Sequence, residues 1–311
     1  MQANDQHVEP DRRFVRLVER IDPHARLLRA WPLTGGVSAE VTALEIEHPG
    51  GQREKLVVRK HGPIDLAANL NVAADEFALL HVLHEEGLPI PTPRYVDTSG
   101  EAFDTPCLVI EFVEGTSDFA PTSAEDAANV LAEQLARIHA IDLARWDLGF
   151  LPPIRDRYTK RLASARQTLD TGLDEWRIRE TLTVVWPLPE RNRPALLHGD
   201  FWPGNALWVD GKLGAIIDWE DAAIGDPVAD LANSRMEMRL LLGQDAMQHF
   251  TARYLSLTDL DLHDLPYWEL SATLGPITGM PNWGLDDAEL ASMRAGLAAF
   301  IAQAFEVLGR R

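Results

Sequence analysis

The stretch LLHGDFWPGNALWV, residues 196–209, encloses a polar loop between two short apolar runs. The loop contains His198, Asp200 and Asn205, together with two glycines and a proline. A turn needs Gly, Pro, Asn or Asp for backbone reasons alone, so the stretch by itself predicts only a tight connection after a strand. It gains chemical meaning if a second carboxylate, Asp218 in LGAIIDWED, reaches the same place.

The segment between the two motifs, residues 206–217, predicts a hairpin that turns at its Asp-Gly pair. A hairpin returns the chain to its starting end, so we expect Asp218 beside Asp200 and Asn205. Carboxylate and amide oxygens are hard ligands suited to Mg²⁺, which binds through a few protein oxygens plus substrate phosphates. A further carboxylate can orient a hydroxyl and accept its proton. The pattern therefore indicates phosphoryl-transfer chemistry.

Two motifs in this region carry a family resemblance. HGDFWPGN, residues 198–205, and IDWEDAAIGDPVADLA, residues 217–232, resemble the aminoglycoside phosphotransferase family. That family has a protein-kinase-like fold, and choline, fructosamine and macrolide kinases share variants of the pattern. The resemblance covers nearly the whole chain, although it weakens beyond Arg239.

The resemblance implies a role for each main polar residue of the motifs. Asp200 is the expected catalytic base for an acceptor hydroxyl, and Asn205 and Asp218 are the expected ligands of Mg²⁺. His198 is expected to anchor the loop, because a lone histidine is more often structural than catalytic. Asp226 is expected to support the backbone of the loop.

The remaining residues of the motifs have plainer interpretations. Trp202 and Trp219 are expected to pack, with contact to the acceptor as the alternative. Asp221 and Asp230 are expected to be helix caps or solvated carboxylates. Glu220 is a weaker candidate for a second metal or for the acceptor.

A nucleotide-binding region is expected N-terminal to these motifs. Gly35 and Gly36, followed by Ser38, permit close approach of backbone to phosphates, although a Gly-Gly pair is also an ordinary turn. The predicted strand LVVRK carries Arg59 and Lys60 on opposite faces. Only one of the two cations is therefore expected to reach the α- and β-phosphates of ATP.

The family resemblance selects among these groups. It favours Arg59 over Lys60 as the phosphate-binding cation, with Glu76 on the predicted internal helix as its ion-pair partner. The strand CLVIEFVEG resembles the segment that joins the lobes of a kinase. Backbone groups of Glu111 and Val113 are then expected to bond adenine.

The predicted elements define an α+β class with a bilobal protein-kinase-like fold. An amphipathic helix at residues 14–21 precedes a small sheet with one internal helix, and most of the later chain is predicted to be helical. We assign residues 1–113 to a small β-rich nucleotide-binding lobe and residues 114–311 to a larger, mainly helical catalytic and acceptor-binding lobe. The acceptor is expected near residues 236–311, whose carboxylates and aromatics suit an amino sugar. A solvated helical face over an ordinary core is the alternative.

Composition limits the partners. The 311 residues carry 48 acidic and 29 basic side chains, and a net charge of −19 argues against non-specific nucleic-acid binding. The same charge is compatible with a cationic acceptor. Cys107 is the single cysteine, so no internal disulfide forms, and no apolar run suggests a secretory signal or a membrane span. We expect a cytoplasmic protein, as a monomer or homodimer.

Departures from protein kinases favour a small-molecule acceptor. Trp202 stands where those enzymes usually carry a lysine, and DWE replaces Asp-Phe-Gly, with no recognisable activation loop. The prediction is an ATP- and Mg²⁺-dependent small-molecule O-phosphotransferase. Two alternatives stay open: a nucleotide-binding regulatory protein without turnover, and a metal-dependent hydrolase that uses His198, Asp200, Asp218 and Glu220.

Overall fold

The computed structural model describes residues 11–33, 39–117, 123–164 and 168–310. The chain divides into two compact units, Met1–Glu114 and Gly115–Arg311. Strands of an antiparallel sheet dominate the first unit and helices dominate the second, which confirms the predicted α+β class.

The first unit is a five-stranded antiparallel sheet with helices on it, in the order β1-β2-β3-β5-β4. Its described elements are α1 (Arg12–Ile21), β1 (Arg26–Pro32), β2 (Ala39–Glu47), β3 (Arg53–His61), α2 (Pro63–Ala68), α3 (Val72–Glu85), β4 (Pro93–Asp97) and β5 (Cys107–Glu111). Sequence reasoning missed β1 and β4. β4 starts at a proline and lies at the edge of the sheet, where the missing N–H is tolerated.

The two faces of this sheet have different partners. Phe14, Leu17 and Val18 of α1 are buried in one cluster with alternate residues of β2 and β3, such as Leu44 and Leu56. The intervening positions of β3 point the other way, because side chains alternate along a strand. α3 packs against that opposite side of β3, β4 and β5.

The second unit is mainly helical. Its described helices and strands are α4 (Ala124–His139), α5 (Ile154–Ala163), α6 (Glu175–Val185), β6 (Ala195–Leu197), β7 (Ala206–Val209), β8 (Lys212–Ile216), β9 (Ala223–Gly225), α7 (Val228–Leu255), α8 (Leu265–Gly279) and α9 (Asp287–Gly309). β6 pairs with β9 and β7 with β8, each antiparallel. α7 is interrupted at Gly243, which has φ 90° and ψ 179°.

Within the described ranges, α9 alone is long and apolar enough to cross a bilayer, judged by length and composition. We expected no such segment, because no uninterrupted apolar run in the sequence reaches the length of a membrane span. Alanine supplies much of the apolarity of α9, and its large apolar side chains are dispersed. α9 packs against α7 and α8, and its Arg294 donates two hydrogen bonds to Asp170, of 2.7 and 2.9 Å. In this structure it therefore serves as a packed helix of the second unit.

Candidate active site

The β7–β8 hairpin forms as the sequence predicts. Asp210 and Gly211 both have positive φ, 49° and 75°, as the two-residue turn requires. At the open end the Ile217 N–H donates to the Asn205 carbonyl oxygen at 2.9 Å. Asp218, the next residue, therefore begins beside the loop that contains Asn205.

The loop 198–205 is fastened to the first turns of α7. Asp230, 2% exposed, accepts hydrogen bonds from the backbone N–H of His198 at 2.7 Å and of Gly199 at 3.0 Å. One turn later, the Ser234 hydroxyl donates to the Phe201 carbonyl oxygen at 2.9 Å. A carboxylate and a hydroxyl on one helix face thus fix the loop backbone.

This arrangement corrects the roles expected for two carboxylates. Asp226, expected to support the loop, instead accepts from the Val228 N–H at the start of α7 and from the Asn192 side chain, both at 3.0 Å. Asp230, expected to be a cap or solvated, supports the loop. The reason is where α7 begins: Asp226 precedes the helix and accepts from the N–H of its first residue, Val228, whereas Asp230 lies inside the helix and faces the loop.

Asp230 is stabilised as a carboxylate despite its burial. Burial acts to raise its pKa, but the hydrogen bond and charge of His139 and the hydrogen bond from the His198 backbone N–H outweigh burial, so the pKa lies below its ordinary value. His139 Nε2 lies 3.3 Å from Asp230, and its Nδ1 lies 2.6 Å from the Tyr254 hydroxyl. We did not predict this series of contacts from Asp230 through His139 to Tyr254. The signal available in the sequence was an acid, Asp230, placed among the apolar residues of VADLA.

His198 is a structural residue with a fixed tautomer. Its Nδ1 accepts from the Asp200 N–H at 3.3 Å, and its Nε2 donates to the Ile217 carbonyl oxygen at 3.1 Å. A backbone N–H can only donate and a carbonyl can only accept, so the ring is neutral with its proton on Nε2. Burial lowers the pKa of His198, in agreement. Neither ring nitrogen is left to bind a metal or take a proton.

Asp200 and Asn205 are hydrogen-bonded to each other across the loop. Asn205 Nδ2 donates to the Asp200 backbone oxygen at 2.9 Å and to its Oδ2 at 3.2 Å. Burial, with the charges of Asp221 and Asp218, raises the pKa of Asp200 to about 7, while Asn205 and Arg157 act in the opposite direction. A carboxylate with a pKa near neutrality suits proton abstraction at physiological pH.

Asp218 adopts the left-handed region, with φ 68°. This conformation is uncommon outside glycine, and such outliers concentrate at functional sites. Trp219, next to it, is 2% exposed, donates from Nε1 to the Ile216 carbonyl oxygen at 3.2 Å and packs on His198. Trp202 is half-buried with its ring over Gly204, and Glu220 is half-buried.

The donors of Asn205 and Asp218 fit Mg²⁺. The Asn205 Nδ2 faces Asp200, so its Oδ1 lies on the other edge of the amide. One amide oxygen and one carboxylate are hard donors, and Mg²⁺ keeps much of its shell for phosphates and water. Across the described ranges, no three His, Cys, Asp or Glu side chains group to hold a metal. The two protein donors Asn205 and Asp218 leave room for phosphate and water ligands on such an ion.

In the first unit, Arg59 and Glu76 form a buried ion pair. Arg59 NH1 lies 2.8 Å from Glu76 Oε1, and His61 Nε2, missed by the sequence analysis, lies 3.2 Å from Oε2. Burial acts to raise the pKa of Glu76, but Arg59 and His61 together lower it below its ordinary value. Lys60 lies on the opposite face, 2.6 Å from Glu40 and above the Phe103 ring.

The end of β5 carries the predicted adenine-binding backbone. The Glu111 N–H donates to the Thr92 carbonyl oxygen at 2.8 Å, and its side chain accepts from Thr92 at 2.5 Å. Among the described residues, no backbone acceptor bonds the Val113 N–H. Gly35, Gly36 and Ser38 lie outside the described residues.

Solved structures with the same fold include aminoglycoside and macrolide phosphotransferases. The GDP complex of aminoglycoside 2'-phosphotransferase-IIIa has a TM-score of 0.65 at 19% identity, covering 93% of this chain and 98% of that chain. Macrolide 2'-phosphotransferase type I has a TM-score of 0.64 at 16% identity, covering 92% and 96%. The molecule thus has the kinase-like fold of small-molecule phosphotransferases.

The family follows from sequence. The model of the phosphotransferase enzyme family matches residues 30–263. The chain belongs to this family, which confirms the resemblance stated from the two motifs.

Curated relatives share only part of their length with the chain. Acyl-CoA dehydrogenase family member 10 of Mus musculus is 27% identical over 199 residues, 58% of this chain and 18% of that protein. Member 11 of Gallus gallus is 29% identical, covering 59% and 25%. Aminoglycoside 3'-phosphotransferase of Escherichia coli is 29% identical over 190 residues, covering 56% and 65%.

Proposed function

We propose that the protein is an ATP- and Mg²⁺-dependent small-molecule O-phosphotransferase that transfers the γ-phosphate to an acceptor hydroxyl. The observation that carries this proposal is the bonded pair Asp200–Asn205 on a loop with a fixed backbone, where the charge of Asp218 acts on Asp200. Membership of the phosphotransferase enzyme family supports it.

Asp200 is the group that activates the acceptor. Its carboxylate accepts a hydrogen bond from the acceptor hydroxyl, orients the oxygen for in-line attack and takes the proton as the bond to phosphorus forms. The Asn205 amide holds the carboxylate in place through Oδ2. The position of the Asp200 carboxylate matters because the protein catalyses phosphoryl transfer mainly by positioning the reacting groups and stabilising charge, with little covalent chemistry of its own.

Asn205 and Asp218 are the residues that would hold Mg²⁺. When bound, the ion neutralises charge on the phosphates. On the nucleotide side, Arg59 is the proposed phosphate-binding cation, because Glu76 holds it while Lys60 pairs with Glu40 on the other face.

The remaining nucleotide contacts are backbone contacts. The Glu111 carbonyl and the Val113 N–H would read adenine, and Gly35, Gly36 and Ser38 would cover the phosphates. Solved relatives support a nucleotide, since their names record GDP, ADP and AMP-PNP complexes.

The acceptor is proposed to be a small hydroxyl compound, not a nucleic acid. Relatives are named for aminoglycosides and macrolides, and one ternary complex contains hygromycin B. A net charge of −19 favours a cationic acceptor, which the helices of residues 236–311 would hold. A cytoplasmic location agrees with Cys107, a free and buried cysteine whose pKa is raised to about 12 by burial.

The test is acceptor-dependent ATP consumption with Mg²⁺ across aminoglycosides, macrolides, choline, amino alcohols and sugars. Asp200→Asn should lower kcat by roughly 10²- to 10⁴-fold, the usual contribution of a general base. Asp210→Asn is the matched control, because it makes the same change at an exposed turn where Asn suits positive φ equally well.

The outcomes separate the alternatives. Turnover that survives in Asp200→Asn contradicts the proposal. Nucleotide binding without transfer to any acceptor indicates a regulatory protein. Hydrolysis that ignores ATP indicates the metal-dependent hydrolase, which the engaged ring nitrogens of His198 disfavour.

A further inference from the structure

The start of α5 is attached to β9, the strand that follows the Asp218 loop. The Ile224 N–H donates to the Pro152 carbonyl oxygen at 3.0 Å, and Pro153 forms a bridge with Ile224. The Ile154 side chain packs so closely on Gly225 that a Cβ there would lie 2.3 Å from its Cγ2. Because a helical turn takes 3.6 residues, the residue one turn later is delivered to the same side of the helix.

That residue is Arg157, and its guanidinium contacts both loops of the site. NH1 donates to the Gly199 carbonyl oxygen at 3.1 Å, next to Asp200. NH2 donates to the Asp221 carbonyl oxygen and lies 3.1 Å from the Asp221 carboxylate. The Arg157 side chain is 22% exposed and that of Asp221 is 52% exposed, so the bond to Gly199 is the more buried of these contacts.

The two loops touch where the guanidinium lies. Gly199 has φ 81°, and a Cβ on it would lie 1.9 Å from the Asp221 carbonyl oxygen and 2.7 Å from Arg157 NH1. The Arg157 guanidinium donates to the carbonyl oxygens of both Gly199 and Asp221, so one cation bridges the two loops with charge-assisted hydrogen bonds. The N–H of Gly199 is held by Asp230, so both of its backbone polar groups are bound to charged side chains.

We propose that Arg157 is a positioning residue, which fastens the loop of the catalytic base to the loop of the metal ligand Asp218 and so sets the geometry of transfer. Its catalytic meaning rests on the proposed function. The forked guanidinium is essential to this role, because it reaches two carbonyl groups and a carboxylate at once. A lysine ammonium supplies the charge as a single point.

The variants are Arg157→Gln, Arg157→Lys and, for chemical rescue, Arg157→Ala, with Arg155→Gln as the matched control. Arg155 is on the same helix, its side chain is 51% exposed, and its carboxylate neighbour Glu190 is 3.9 Å away. The first readout is hydrogen exchange in peptides covering residues 198–205 and 217–224, which needs no substrate. We expect exchange to be several-fold faster in both peptides of Arg157→Gln, intermediate in Arg157→Lys and unchanged in Arg155→Gln.

The second readout is steady-state kinetics with an acceptor from the panel. Misplaced loops should lower kcat by about 10- to 100-fold in Arg157→Gln, while KM for ATP changes by less than about threefold, since the polar contacts of Arg157 with the described residues are made to the two loops. Millimolar guanidinium should restore part of kcat in Arg157→Ala, and equimolar urea should not. If Arg157 were needed only for folding, its replacement would not lower kcat while leaving KM for ATP unchanged, and guanidinium would not restore kcat.

If hydrogen exchange in the two loop peptides of Arg157→Gln equals that of the wild type, Arg157 does not fasten the loops. Kinetics of Arg157→Gln that equal those of Arg155→Gln overturn the positioning role. If the wild type transfers no phosphate to any acceptor, the proposed function fails, yet the exchange result still decides the fastening. If Arg157→Gln does not fold, Arg157→Lys is used for the same two readouts. If its hydrogen exchange and its kcat both equal those of the wild type, the forked guanidinium is not needed and the proposal is refuted.

Discussion

Replacing Asp230 by Asn should strongly destabilise the second unit. The carboxylate accepts from two backbone N–H groups and lies near His139 Nε2, at 2.7, 3.0 and 3.3 Å. Asparagine keeps one oxygen but presents an NH₂ group to a buried donor. The loss should be about 3–5 kcal/mol, the usual cost of breaking a buried charged network. For a unit of this size that lowers Tm by roughly 10 °C.

The matched variant is Asp226→Asn, the carboxylate that sequence reasoning had chosen for the same role. Asn is as good a helix cap as Asp, and burial already raises the pKa of Asp226, so a neutral side chain suits the site. We expect its cost to stay below about 1 kcal/mol. Urea unfolding followed by tryptophan fluorescence at neutral pH measures both.

The pH dependence gives a second check on Asp230. Its folded-state pKa lies below the unfolded value of about 3.9. Its stabilising contribution is therefore present above that pH and is lost as pH falls through the folded-state pKa. The stability gap between wild type and Asp230→Asn should narrow in acid. The reasoning would be refuted if Asp230→Asn lowered the free energy of unfolding by less than about 1 kcal/mol at neutral pH. It would also be refuted if Asp226→Asn lowered that free energy by as much as Asp230→Asn.

Three further predictions use other residues. Hydrogen bonds that His48 donates to Glu54 and Asp22 raise the pKa of His48. The stability that His48 gives the first unit is therefore complete below about pH 6.5 and is lost as pH rises through the folded-state pKa, and urea unfolding of His48→Gln should lack this pH dependence. Gly243→Ala should cost on the order of 1–3 kcal/mol from backbone strain alone, since a Cβ there meets nothing, and kcat should not change. Gly199→Ala adds a clash to a positive φ and should lower both Tm and kcat; normal kcat would contradict the close approach of the two loops.

Local patterns in the sequence were enough for the features set by neighbouring residues. Phe14, Leu17 and Val18 have the spacing of one helix face, and they form the buried face of α1. The Asp-Gly pair predicted the hairpin that brings Asp218 back towards Asn205. In both cases the residues that form the pattern in the sequence are within a few positions of the residues that form the helix or hairpin.

Features set by distant partners could not be predicted in this way. His139 and Asp230 are 91 positions apart, and Arg157 and Gly199 are 42 apart. Nothing near Asp226 or Asp230 in the sequence reveals which carboxylate faces the loop, because that depends on the residue at which α7 begins. We did not predict β1, because its pairing depends on β2 and a bulge between Leu27 and Arg29 interrupts the regular alternation of the strand.

The side chains described above as holding the loop 198–205 lie between His139 and Ser234 in the sequence. The match to the family model ends at residue 263, just before α8 begins at Leu265. The scaffold of the loop is therefore complete before the last two helices start. Trp268 of α8 is nevertheless buried in one cluster with Tyr158 and Leu197, so α8 supports the elements on either side of the loop through packing. Exposed positions of α9, such as Val307, can therefore change while every described bond to the loop stays in place.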